Sequence, residues 1–197
     1  MQDLIKTAKA FLLENAAPNI DEEANRLIIS ELFDSKYPFK RPSNFKSKEV
    51  FYTFNAEGID IKVQYTSEYA DPVLEDGNLI KVAFGRPLKS PHSWIKVDTE
   101  ELLNVKNPMK VLSTVFETMT DFITRYFKED SDKTLSFNFH GALTSSETDK
   151  DVDISDSKRS RIYIAMLKKL PILKKYNMKI SNLGEDGIEI TNDTTWG

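Results

Sequence analysis

Three patterns in this 197-residue sequence predict an α+β fold: a mostly antiparallel β-sheet, one long helix at about 108–128 and a second at about 157–170 packed on it, and two helices in front. Between residues 50 and 65 apolar side chains alternate with polar ones, the period of strands with one face in a core and one in water. From 109 to 126 the spacing becomes three and four residues, which is one face of a helix. Short turns, not long crossovers, separate the strands, and such runs favour an antiparallel sheet with helices on one face.

Taken in order, Leu4, Ile5, Ala8, Phe11 and Leu12 give a short amphipathic helix that Asn15 to Pro18 ends. Asp21 caps a second, carried by Ala24, Leu27, Ile28 and Leu32 and broken by Pro38. The segment Tyr37 to Lys48 has two prolines and no periodicity, so residues 1–48 read as a helical extension with a linker or ordered loop, and 49–197 as the core domain. Val50, Tyr52 and Phe54 lead through a turn at Gly58 to Ile59, Ile61, Val63 and Tyr65, a β-hairpin. Leu79 to Phe84 supplies a third strand, and Ser93 to Val97 a shorter fourth.

The long helix follows. Asn107 is a good cap, and Pro108 fits the first helical position, where a missing amide hydrogen costs nothing. Its apolar stripe is Leu112, Val115, Phe116, Met119, Phe122, Ile123 and Tyr126. Leu135, Phe137 and Phe139 then alternate as a strand closed by Gly141. Ile162, Tyr163, Met166, Leu167 and Leu170 form another helical stripe before Pro171. Tyr176 to Ser181 and Ile188 to Thr191 read as a hairpin around Gly184 to Gly187.

Composition narrows the function classes. A net charge of −4, with 27 basic and 31 acidic residues, gives no long-range pull toward phosphate backbones or anionic membranes. Nucleic acid is therefore an unexpected partner. Tyr37, Phe39 and Phe45 do stand among Lys36, Lys40, Arg41, Lys46 and Lys48, the mixture that single-stranded nucleic acid binding uses. The preferred reading is a solvated segment whose aromatics dock on the core. Cysteine is absent, which removes disulfides and thiolate chemistry. Neither a signal-peptide core nor a membrane span is expected, so the sequence predicts a protein that is neither secreted nor transmembrane.

The chemical constellations are mostly missing. Neither a glycine-rich dinucleotide fingerprint nor a nucleotide phosphate loop occurs, and no cofactor is expected. His92 and His140 lack ligand spacing and are expected to be structural. Asp149 to Asp156 spaces oxygens like a calcium loop at first, but Ile154 stands where glycine is needed and Ser160 where a bidentate glutamate closes the site. No metal is assigned there. Lys158, Arg159 and Arg161 place positive charge in the first turn of a helix, against the dipole preference. They are a candidate contact for an anion or an acidic partner.

The stretches V-L-S-T-V-F-E-T-M-T-D-F-I-T-R-Y, L-S-F-N-F and R-S-R-I-Y-I-A-M-L-K-K-L together resemble a pattern in an uncharacterised protein family of tailed bacteriophages, over about residues 50–170. Arg159, Tyr163 and Leu167 fall at matching positions, while the long acidic loop before them is a departure. The resemblance implies no reaction and no catalytic residues. It implies a non-catalytic viral protein acting through protein–protein contacts, a minor virion component or a modulator of a host factor, located in the virion or the host cytoplasm. Two alternatives stand beside it. One is an enzyme of unfamiliar type, such as a small-molecule or acyl transferase, with His140, Arg159 and Tyr163 forming its pocket. That reading lacks the Q/R-x-x-G-x-G/A turn by which N-acetyltransferases hold coenzyme pyrophosphate. The other is a single-stranded nucleic-acid-binding protein. The oligomeric state is left open.

Overall fold

The computed structural model describes residues 35–69, 71–87, 105–139, 158–182 and 187–193. Seven strands make one sheet: β1 (Phe39–Lys40), β2 (Glu49–Ala56), β3 (Ile59–Ser67), β4 (Asn78–Gly85), β5 (Leu135–Phe139), β6 (Lys179–Asn182) and β7 (Ile188–Thr191). Their spatial order is β1-β2-β3-β4-β5-β7-β6. Every neighbouring pair is antiparallel except β4 and β5, which run parallel. A parallel pair needs a crossover that no tight turn can supply. Helix α1 (Pro108–Tyr126) lies in that connection, while α2 (Lys158–Leu167) and α3 (Pro171–Lys175) follow β5.

The β2–β3 turn shows how local chemistry fixes the register. Ala56 pairs with Ile59 across a two-residue loop whose members, Glu57 and Gly58, have φ of 55° and 89°. Both values are positive, as a type I′ turn requires. Asn55 Oδ1 accepts from the Gly58 amide at 2.8 Å and closes the turn. With the register set, Tyr52 lies opposite Val63 and Phe54 opposite Ile61. Tyr65 lies opposite Val82, and Ile80 opposite Phe137. All of these point to the helix side, because opposed residues share a face. The other face carries Thr53, Lys62, Lys81, Ser136 and Glu189, so the alternation in the sequence is the alternation of core and polar face.

Helix α1 covers the core face. Asn107 Oδ1 accepts from the Lys110 amide at 3.0 Å, and Pro108 occupies the first turn, as the sequence predicts. Phe116, Met119, Phe122, Ile123 and Tyr126 are all buried. Phe122 stacks on Tyr65 with ring centroids 4.6 Å apart and meets Phe137 edge-on at 5.7 Å. The Tyr65 hydroxyl and Thr118 Oγ1 are 2.9 Å apart. Thr118 spends its own proton on the Val115 carbonyl, so Tyr65 is the donor. The core is one contiguous cluster spanning strands and helices.

Several expectations need correction or fall elsewhere. The second helix ends at Leu167, not near 170, because Leu170 is extended (φ −72°, ψ 115°) ahead of Pro171, and a residue before proline is pushed out of the helical region. Pro171 opens the short helix α3, which the sequence reading missed. Tyr176 then caps α3, Asn177 takes a left-handed φ of 53°, and the strand expected from Tyr176 begins at Lys179. The stretch expected as a linker or ordered loop contributes the short β1, paired with β2 through Phe39 and Phe54. The two N-terminal helices and the Ser93 to Val97 strand lie outside the described residues.

Two substitutions test this arrangement. Phe122→Ala is expected to lower unfolding free energy by about 3–5 kcal/mol in urea denaturation, as deletion of a fully buried ring does. Asn107→Ala removes only a cap and should cost about 1 kcal/mol. Near-equal losses would mean that the ring is not the packing centre described here.

Candidate functional site

From residue 157 to 184 the sequence has eight basic side chains and no acidic one. The fold gathers the later part of this stretch at one end of the sheet. Lys168 follows α2, Lys174 lies in the last turn of α3, and Lys179 opens β6. The Leu173 amide bonds the Leu170 carbonyl, and the Met178 amide bonds the Leu173 carbonyl at 2.8 Å, so the chain folds back tightly from helix to strand. Between these pieces lies an open groove of about 330 Å³, lined by Leu167, Leu170, Leu173, Met178 and Ile180 with Lys168, Lys174 and Lys179 around it. Among the described residues no carboxylate pairs with these three lysines. Partial burial lowers the pKa of neighbouring Lys169 below the ordinary lysine value.

The sequence-derived candidates are placed only in part. His92, His140 and the Asp149 to Asp156 loop lie outside the described residues. Lys158, Arg159 and Arg161 are in the first turn of α2, as expected, and only their backbone is described. Tyr163 is partly buried, its ring edge-on to Phe84 and to Phe116, both at 6.3 Å. That ring is a packing element between sheet and helix. The groove itself was not singled out from the sequence, although the run of basic residues without an acidic one was there to be read.

Tyr37 to Lys48 is built into the core. Tyr37 stacks on Phe54 at 6.0 Å, Phe39 meets Tyr52 edge-on, and Phe45 leans on Phe122 at 6.1 Å. Rings so engaged are not platforms for bases. Two of the five cations are also committed: Lys36 reaches Glu117 at 2.6 Å, and Arg41 Nε reaches Asp121 Oδ1 at 2.8 Å. Asp121 further accepts from Arg125 Nε and from the Tyr52 hydroxyl, both at 2.9 Å. One carboxylate thus joins the segment, the helix and the sheet.

Four tyrosine hydroxyls support this core with raised pKa values. Burial is the largest cause at Tyr37, Tyr52, Tyr65 and Tyr126, because it penalises the phenolate. Tyr37, which donates to Glu57 Oε1 at 2.9 Å, is pushed from 10 up to about 12. Among the described residues, no group of three or more histidine or carboxylate side chains is placed to hold a metal ion. None of the described helices is long and apolar enough to cross a membrane.

No protein-family model matches this chain, and neither a curated protein nor a solved structure does.

The tyrosines give a pH prediction. A hydroxyl whose folded pKa lies above its unfolded value contributes stability that is intact below the unfolded pKa and is lost as pH rises through the folded one. For Tyr37 that window runs from pH 10 to about 12. Tyr37→Phe is expected to take one proton out of the slope of unfolding free energy across that window, read by urea denaturation at stepped pH. An unchanged slope would place the Tyr37 hydroxyl in water.

Proposed function

We propose that this chain acts by protein contact and not by catalysis, in a bacteriophage virion or on a host factor, and that the lysine-ringed groove is where its partner docks. The groove is the observation that carries this reading. Its floor of leucine, methionine and isoleucine favours apolar side chains, since water is released from both surfaces on contact. Its margin of exposed lysines favours carboxylates beside them. Among the described residues the floor offers no aromatic ring on which a base could stack. Tyr176 is nearby, but its ring is stacked on Phe127 at 4.3 Å. An acidic, apolar segment of a protein is the partner this chemistry fits. The phage setting draws on the sequence resemblance alone.

The test is affinity capture of the tagged full chain from infected cells and from purified virions, in parallel with a Lys168→Glu, Lys174→Glu, Lys179→Glu variant. A partner rich in acidic segments should be held by the native chain, and its recovery should fall at least about tenfold with the variant. A native chain that stays a lone monomer in both settings would sink the proposal.

A further inference from the structure

Building on the docking role proposed for this groove, we infer that its partner segment is extended and joins the sheet as an eighth strand alongside β6. The two ends of the sheet are built differently. At one end β1 is two residues long, with Pro38 before it and Pro42 soon after. Short length and flanking prolines close an edge to further pairing. At the other end β6 has four residues, Lys179 to Asn182, none of them proline, and among the described residues it pairs with β7 on one side only. A strand paired on one side presents backbone amides and carbonyls on the other.

The groove adjoins that same edge, because Ile180 of β6 faces the core side and also lines it. A strand laid against β6 would send alternate side chains to the core side, onto the groove floor of Leu170, Leu173 and Met178. The intervening side chains would face the side that carries Lys179. Alternating apolar and acidic residues satisfy both faces at once. A second copy of this chain does not, since pairing β6 with β6 brings two lysine-rich margins together. The lysines therefore guard the edge against self-association and leave it open to an acidic strand.

The experiment is fluorescence anisotropy of the full chain with a labelled peptide of alternating aspartate and valine, and with two isomers methylated at alternate backbone nitrogens in either phase. Strand addition predicts saturable, salt-weakened binding. It also predicts that one methylated isomer loses at least about tenfold in affinity while the other does not, because only edge-facing amides are used. The Lys168→Glu, Lys174→Glu, Lys179→Glu chain, checked for an unchanged urea midpoint, should lose a similar factor. Equal binding of both isomers would overturn strand addition, as would no binding of the parent peptide. So would tighter binding of single-stranded oligothymidine, or sedimentation showing a dimer that the charge reversal breaks. A partner captured from virions while the isomers bind alike would leave the docking role standing and remove only the strand; a chain with neither peptide nor partner bound removes both.

Discussion

The contact on which the rest depends is the stack of Phe122 on Tyr65, 4.6 Å between centroids, with Phe137 against the edge of the same ring. It joins the C-terminal half of α1 to the sheet, and offset or edge-on aromatic pairs add about 0.5–1.5 kcal/mol each beyond the area they bury. The hydrogen bond from Tyr65 to Thr118 sits one turn away and fixes the helix along its own axis. Burying a hydroxyl without a partner is costly, so a slide of α1 by even part of a turn would break both the stack and the bond. The helix position is therefore over-determined, and residues toward its ends inherit that placement. Tyr126 illustrates this: its hydroxyl lies 2.6 Å from the carbonyls of Glu75 and Thr134 and ties the loop before β4 to the loop before β5.

A fixed α1 also explains why a proline-containing segment becomes part of the fold. Thr114 Oγ1 accepts from the Tyr37 amide at 2.9 Å, Glu117 takes Lys36, and Asp121 takes Arg41. These three acceptors recur at helical spacing, so the segment tracks one stripe of α1. Exposed ion pairs contribute little singly, about 0–1 kcal/mol. Asp121, however, is largely shielded from solvent and holds two guanidinium groups and a phenol. Geometry of that kind gives the segment one position, which the apolar docking of Phe39 and Phe45 alone would leave loose.

The sheet core and its covering helix were legible in the sequence because their signals are periodic and local. Val50 to Tyr65 alternates, Gly58 permits the turn, and Asn107 with Pro108 marks a helix start, each fixed by residues a few positions apart. What was illegible depends on long-range partners. Phe39 and Lys40 have no strand periodicity of their own, and become a strand only because β2 offers an edge to pair with. The α3 turn was hidden because Pro171 reads as a stop, whereas it also starts a helix well. As for the site, basic residues at 158–161 stood out by breaking a helix rule. Lys168, Lys174 and Lys179 break none, and their meaning comes from three separate elements converging.

Charge is distributed to match that convergence. The chain is −4 overall and residues 157–184 carry +8, which leaves −12 on all the rest. A molecule so divided is a weak attractor for anions at a distance, because its net charge has the wrong sign. Within the screening length of about 8 Å at physiological salt, only nearby charges are felt, and those lining the groove are Lys168, Lys174 and Lys179. A polyanion such as nucleic acid, which draws affinity from many phosphates along a long track, gains little from so confined a patch. A short acidic segment gains most of what is available, since its few carboxylates and its apolar side chains are all used within one groove's length. On the proposed docking role, the division of charge favours a compact acidic ligand over an extended polyelectrolyte.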